Sequence, residues 1–431
     1  MPLSAVIGAG QAGALTLEQE RAIERRGEAL LVSAGAGSGK TAVLVERFVR
    51  AVREDGIAPA RILAITFTDR AAGELRERVR ARLLELGERE AARDTEAAFV
   101  STFHGFCTRL LRSHALSAGL DPYFQILDEG LAARLRERAF ALALAQFVAA
   151  ERADAVDLVA AYGVERLRAM VWRAYAELRS RGERHPRLPP AGGDADARSD
   201  AEAARACALI DELLASFGRS YEALKRARGA VDFDDLELRA LELLDRREGV
   251  RAAWSERFEL MMVDEFQDTN PRQLAILRAL ERENLFTVGD ELQSIYGFRD
   301  ADVRLFRARR EELAVRGASL ALTRNHRSAA PLLDVINAAF QARLEHGYTP
   351  LEPARGDGAA APAPAVELLL TSKRAFNGSE REHDAAAAAL AGAETPGWRA
   401  AEARALAGRV AELVRSGEAA PGDVVVLLRA L

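Results

Sequence analysis

A chain of 431 residues that is 49% hydrophobic and 29% charged, with a formal net charge of −5, carries enough apolar material for two to four packed domains and is excluded from the disordered and fibrous classes. Its apolar runs fall far short of the ~20 residues that a membrane crossing needs, the amino end lacks the layout of a signal peptide, and two cysteines are too few for a disulfide framework or a four-thiolate zinc site. A cytoplasmic protein with no membrane partner is expected, and its mild acidity requires any nucleic-acid binding to come from a local basic surface.

In chain order, residues 1–14 read as a flexible, glycine-rich amino end. Gly8, Gly10 and Gly13 there mimic a dinucleotide-binding turn but lack the strand before it and the acidic residue after it. From residue 15 to about 118, short β-type runs (29–33, 61–67, 98–102) alternate with amphipathic helical stretches, the pattern of βαβ units and a parallel sheet. Residues 119–230 lose that pattern. Stretches 130–152 and 201–228 read as helices of a helical insertion, and 186–200, rich in proline, glycine and small polar residues, as an exposed loop. The β pattern returns at 258–263, 285–288 and 319–323, which suggests that the first sheet is completed after the insertion. Further on, 353–365 reads as a linker and 374–397 as an alanine-rich stretch with little to bury. Two strand candidates, 366–370 and 423–428, flank a helix near 400–415 as parts of a second α/β domain. That domain looks truncated, since its last strand ends three residues before Leu431 with nothing to cover the sheet edge.

Residues 34–41 read AGAGSGKT between an apolar run and a helical one. A phosphate loop needs small residues whose N–H groups turn inward, a helix start, a lysine for the terminal phosphates and a hydroxyl for magnesium. Gly35, Gly37 and Gly39 supply the backbone, with Ala34, Ala36 and Ser38 between them, Lys40 the amine and Thr41 the hydroxyl. Only three of the 60 basic residues are lysine, so Lys40 stands out. The strand FELMMV then ends in Asp264 and Glu265, at the carboxyl end where an open α/β sheet binds its ligand. Asp264 is expected to hold magnesium, and Glu265 to orient and deprotonate the attacking water. In LFTVGDELQSIYGFRD (285–300), Gln293 stands where it could sense the γ-phosphate. Tyr296 and Phe298 could offer flat faces to bases or, equally, be core aromatics.

The ordered set TLEQERAI (16–23), AGAGSGKT, ILAITFTDRAAGELRERV (62–79), VSTFHGFCTRLLR (100–112), VDEFQDT (263–269), VGDELQSIYGFR (288–299) and LTRNHRS (322–328) resembles the UvrD/Rep family of superfamily-one DNA helicases. The resemblance implies an α/β fold with a RecA-like P-loop NTPase sheet interrupted by an all-helical domain: a first motor domain at 15–118 and 231–318, the insertion at 119–230, and the first part of a second RecA-like domain at 319–431 with a low-complexity linker near 353–397. It implies ATP and Mg2+, with Gln19 reading the adenine edge, His326 against the base, and Arg327 reaching the γ-phosphate from the second motor domain. It also implies that Thr66, Phe67, Thr102, His104, Tyr296 and Phe298 line a single-stranded DNA track. For Thr102 and His104 taken alone, a capping or core hydrogen bond is the ordinary expectation. HGFC, NHRS and VDFDDL (231–236) are similar to the AddA/RecB helicase-nuclease branch, which implies a nuclease subunit or domain as partner. The family's later motifs and second insertion are missing, so a fragment with reduced activity is expected. The activity implied is a 3′ to 5′ DNA helicase or translocase acting in repair or recombination; the rival is a non-enzymatic module that binds nucleotide or DNA within a complex.

Overall fold

The computed structural model describes residues 15–149, 153–189, 197–297, 301–344, 348–354, 366–370 and 397–428. They divide into two compact units, Met1–Ser328 with Gly347–Arg355, and Ala329–His346 with Gly356–Leu431.

The first unit is built on six parallel strands: β1 (Leu30–Ala34), β2 (Ile62–Thr66), β3 (Phe99–Thr102), β6 (Leu260–Val263), β7 (Leu285–Gly289) and β8 (Ser319–Leu322), in the spatial order β3-β2-β6-β7-β1-β8. Strands 2, 6 and 7 are buried at every position, as runs such as ILAIT and LMMV require when both faces of a parallel sheet are covered. The covering helices include α1 (Leu17–Glu24), α2 (Lys40–Arg53), α3 (Asp69–Glu85), α4 (Arg89–Asp94) and α5 (Phe103–Ser113), then α10 (Phe233–Arg246), α11 (Glu248–Arg257), α12 (Pro271–Leu280) and α13 (Val303–Ala314). Because β1 lies between β7 and the edge strand β8, the phosphate loop that follows it opens at the sheet's carboxyl edge, one strand in from that side.

The helical insertion leaves this sheet through β4 (Gln125–Ile126) and returns through β5 (Ala230–Val231), which pair in parallel and close its neck. Between them α6 (Glu129–Ala149), α7 (Ala153–Tyr162), α8 (Val164–Ser180) and α9 (Ala197–Arg226) bury an apolar cluster of their own, with Phe140, Leu167, Val171, Leu213 and Phe217 at its centre. The expected loop at 186–200 is shorter at its far end, because α9 already begins at Ala197; residues 190–196 lie outside the described set.

At the neck, charge replaces apolar packing. Arg179 and Lys225, 0% and 1% exposed, meet Asp232 and Asp235: Arg179 NH2 to Asp235 Oδ1 is 2.7 Å, and Lys225 Nζ to Asp232 Oδ2 is 3.0 Å. Asp232 and Asp235 also form the capping box that starts α10. Burial alone would raise Asp235, but Lys225 and Arg179 outweigh it and hold its carboxyl below the ordinary range. Arg272 extends the network toward the first sheet, pairing with Asp234 at 2.9 Å and Glu237 at 3.0 Å and donating to the Arg179 carbonyl.

Two expectations change. Residues 319–322, which the β pattern assigned to the completed first sheet but the family-implied boundary to the second domain, form the edge strand of the first sheet, since Leu31 through Ala34 of β1 offer them a full parallel register. The following residues stay with the first unit through β9 (Arg324–Asn325), which pairs with β10 (Glu352–Pro353). In the second unit, α14 (Ala330–Arg343) and α15 (Gly397–Ser416) are helices, but 366–370 and 424–428 make no ladder among the described residues and remain largely exposed. An apolar run becomes a strand only beside a neighbour that takes its backbone groups. Residues 1–14, with the glycine decoy, and 374–396 lie outside the described set. No helix among the described residues is long and apolar enough to cross a membrane.

Candidate nucleotide and nucleic-acid site

The loop after β1 takes the backbone its glycines permit. Gly37 and Gly39 sit at φ +71° and +90°, the latter capping α2. A Cβ on Gly37 would meet Arg327 Cβ at 2.7 Å, and one on Gly39 would meet Gln19 Nε2 at 2.5 Å, so the loop is also packed from both sides. The Ser38 hydroxyl turns back to the Gly35 carbonyl at 2.7 Å. Lys40 and Thr41 follow in the first turn of α2.

Gln19 is buried, and both ends of its amide are engaged within the protein. Its Nε2 donates to the Ser38 carbonyl at 2.9 Å, while its Oε1 accepts the Thr16 N–H in the capping box of α1. In this state it braces the phosphate loop instead of presenting a free edge to a base. Glu18, its neighbour, accepts from the Thr323 N–H and hydroxyl at 2.9 and 2.7 Å.

Residues 325–328 grip the same loop. Asn325, 2% exposed, donates from Nδ2 to the Ala36 carbonyl at 2.6 Å and accepts the N–H groups of Arg327 and Ser328 on Oδ1. The His326 N–H donates to the Gly37 carbonyl at 2.9 Å. His326 and Arg327 are exposed. Arg327 therefore belongs to the same compact unit as the phosphate loop, not to the second unit, because Asn325 pins its backbone there.

Lys40 Nζ lies 2.8 Å from Glu265 Oε2. Glu265 holds a left-handed backbone, φ 50°, uncommon for a residue with a side chain, and its N–H donates to Asp264 Oδ1 at 2.9 Å. Burial, and then the Glu265 charge, push the Asp264 carboxyl up to about 6; the same two causes, in that order, push Asp268 up to about 6. Asp268 Oδ1 is buried without a hydrogen-bond partner among the described residues. These strand-end carboxylates thus carry more negative charge than Lys40 alone offsets. Gln293 is half-buried, its amide donating to Asp290 Oδ2 at 2.7 Å.

A cavity of about 640 Å³ joins these carboxylates to the expected DNA track: Asp264, Glu265 and Asp268 line it together with Thr66, Phe67, Thr102 and His104. Phe67 and Tyr296 lie ring to ring at 4.5 Å, and Tyr296 is half-buried, so it is not a core aromatic. The two threonines are committed locally. Thr66 donates to the Thr68 carbonyl; Thr102 caps α5 by accepting the Gly105 N–H and donates to Asp69. His104 stands 3.4 Å from Glu237 and edge-on to Phe233 at 5.1 Å. Phe298 lies outside the described residues.

Sequence reasoning missed Asn325, Gln267 and Phe233. Phe233 is 46% exposed and lines the same cavity; an aromatic among the acids of VDFDDL, next to a helix cap, was the available signal. Gln267 and Asn325 gave none, since each works through contacts made only after folding.

The family model described as the UvrD/REP helicase N-terminal domain matches residues 15–314. Among curated relatives, the ATP-dependent DNA helicase PcrA of Leuconostoc citreum is 33% identical over 326 residues, covering 75% of this chain and 38% of that protein. PcrA of Staphylococcus epidermidis is 28% identical over 330 residues (76% and 40%), and PcrA of Staphylococcus aureus 28% over 333 (77% and 40%). The chain thus spans about two fifths of the length of these relatives. With the phosphate loop, the acidic strand end and the helical insertion in the order the family requires, and most of its length matched, the chain belongs to the UvrD/REP helicase family.

Proposed function

We propose that the chain is the ATP-binding motor portion of an ATP-dependent DNA helicase or translocase that acts on single-stranded DNA, 3′ to 5′ by resemblance, in repair or recombination. The single observation that carries this reading is that Asp264 and Glu265, the carboxylates expected at the nucleotide, line one cavity with Phe67 and His104, residues expected on the DNA track.

ATP fits the loop, whose glycine backbone leaves no room for added side chains at Gly37 and Gly39 and whose lysine already faces an anion. Mg2+ fits Thr41 and Asp264. Among the described residues no group of three or more His, Cys, Asp or Glu could hold a metal alone, which suits an ion that keeps waters and shares phosphate oxygens. When bound, magnesium would supply positive charge to the phosphates and relieve the strand-end carboxylates. Lys40 would exchange Glu265 for the terminal phosphates. Freed from that ion pair, Glu265 would orient water and take its proton. Arg327 and Gln293 would serve the γ-phosphate side, while Phe67, Tyr296 and Phe233 would stack on bases and His104 would contact phosphate.

Titration tests this. Magnesium-dependent binding of ATP, abolished by Lys40→Ala, together with ATP turnover stimulated by single-stranded DNA, is expected. Nucleotide binding without DNA-stimulated turnover would favour the non-enzymatic module, and the absence of nucleotide binding would refute the motor.

A further inference from the structure

We propose that Gln267 is a positioning residue that transmits the state of the phosphate site to the base-stacking aromatics. The inference rests on the motor reading above and adds a residue to it.

Gln267 is 1% exposed, and every polar atom of its side chain is used. Nε2 donates to Glu265 Oε2 at 2.9 Å and to Asp268 Oδ2 at 3.2 Å; Oε1 accepts the backbone N–H of Asp290 at 2.9 Å. The amide thus spans from the end of β6 to the end of β7. It fits closely: a Cβ on Gly289 would fall 2.3 Å from Gln267 Oε1 and 3.1 Å from both the Phe266 nitrogen and the Phe306 ring, so Gly289 is the residue that lets the amide pass. Asp290 then organises the next turn, accepting the Leu292 N–H at 3.0 Å and the Gln293 amide at 2.7 Å, while the Ser294 hydroxyl returns to the Gln267 carbonyl at 3.3 Å. Two residues later the Tyr296 ring lies against Phe67.

Glu265 Oε2 is where this path meets the nucleotide, because it accepts from both Lys40 and Gln267. Phosphate oxygens in the loop compete for Lys40. Once it moves, the Gln267 amide becomes the principal donor to that oxygen. The Glu265 backbone, already in the left-handed region, has little room to follow, so the adjustment falls on side chains. A buried amide cannot drop a partner without leaving polar atoms unsatisfied, which makes Gln267 a stiff link: a shift at Glu265 reaches the Asp290 N–H, and with it the turn that carries Gln293 and Tyr296.

The test is a coupling measurement on the full chain, with a non-hydrolysable ATP analogue plus magnesium as one ligand and a fluorescent oligo-dT as the other. In the wild type, each ligand is expected to change the affinity of the other by the same factor, about fivefold or more. Gln267→Met keeps the length and volume but removes the hydrogen bonds. It should bring that factor to one, while each ligand alone still binds with largely retained affinity and the melting temperature falls by a few degrees, as expected for buried groups left without partners. Gln267→Glu, which keeps the acceptor for Asp290 but opposes Glu265, should also lose coupling, and it serves if the methionine variant does not fold. Equal coupling in wild type and variant, or a wild type that binds both ligands independently, would overturn the role of Gln267 while leaving the motor reading intact. A wild type that binds neither ligand overturns the motor reading itself.

Discussion

Two clusters of charged side chains sit in the first unit, one balanced and one with surplus negative charge, and they are built to opposite rules. At the neck of the insertion, Arg179 and Lys225 are fully enclosed with Asp232 and Asp235, and the chain supplies the cations that hold Asp235 below its ordinary range. At the strand ends, Asp264, Glu265 and Asp268 face a single lysine, two of the three carboxyls are raised to about 6, and one oxygen of Asp268 has no hydrogen-bond partner among the described residues. The first cluster sets two cations against two carboxylates and serves as a joint. The second carries surplus negative charge beside a cavity, the condition of a site whose remaining positive charge comes with a ligand.

Breaking the joint should give the largest effect. Arg179→Ala leaves Asp232 and Asp235 buried with one cation fewer and is expected to cost about 3–5 kcal/mol, read as a lower midpoint in urea unfolding. Lys40→Ala tests the contrast: it should weaken magnesium-ATP binding by roughly 100-fold, about 2.7 kcal/mol, with little change in unfolding, because the ion pair it removes lies in a partly open site. Phe233 sharpens the comparison from between the clusters, one residue beyond the Asp232 cap yet exposed to the groove. Phe233→Ala should lower affinity for oligo-dT by about 1–3 kcal/mol and leave nucleotide binding unchanged in fluorescence titration.

The smallest effect separates the clusters by sign. A carboxyl whose folded value is raised, as at Asp264, contributes stability below the ordinary carboxylate range and loses it as pH rises through about 6. One whose folded value is lowered, as at Asp235, contributes above that range and loses it as pH falls. In chelator, Asp264→Asn should therefore raise the melting temperature at pH 7 by a few degrees, about 1 kcal/mol, and flatten the decline between pH 4 and 6. A destabilised Asp264→Asn would contradict the view that this carboxylate is held at a cost.

Most of the first sheet was legible because apolar runs and helix caps are local, and so was the phosphate loop, where glycine spacing, a following helix and a rare lysine lie within eight residues. The strand candidates of the second unit, 366–370 and 423–428, carry strand composition but make no ladder among the described residues, and composition cannot provide a neighbour. Thr102 likewise has the type expected of a phosphate contact, while its hydroxyl is spent capping α5.

From the amino-acid order alone came the chemistry of the loop, the acidic strand end and the insertion between them, because each is written in residues adjacent along the chain. Tertiary structure alone decided that Arg327 joins the first unit, that Gln19 braces the loop, that Asn325 binds the loop carbonyl of Ala36, and that Gln267 spans two strand ends. These are hydrogen bonds between groups that can lie hundreds of positions apart, and their partners are set by which strands the sheet places side by side.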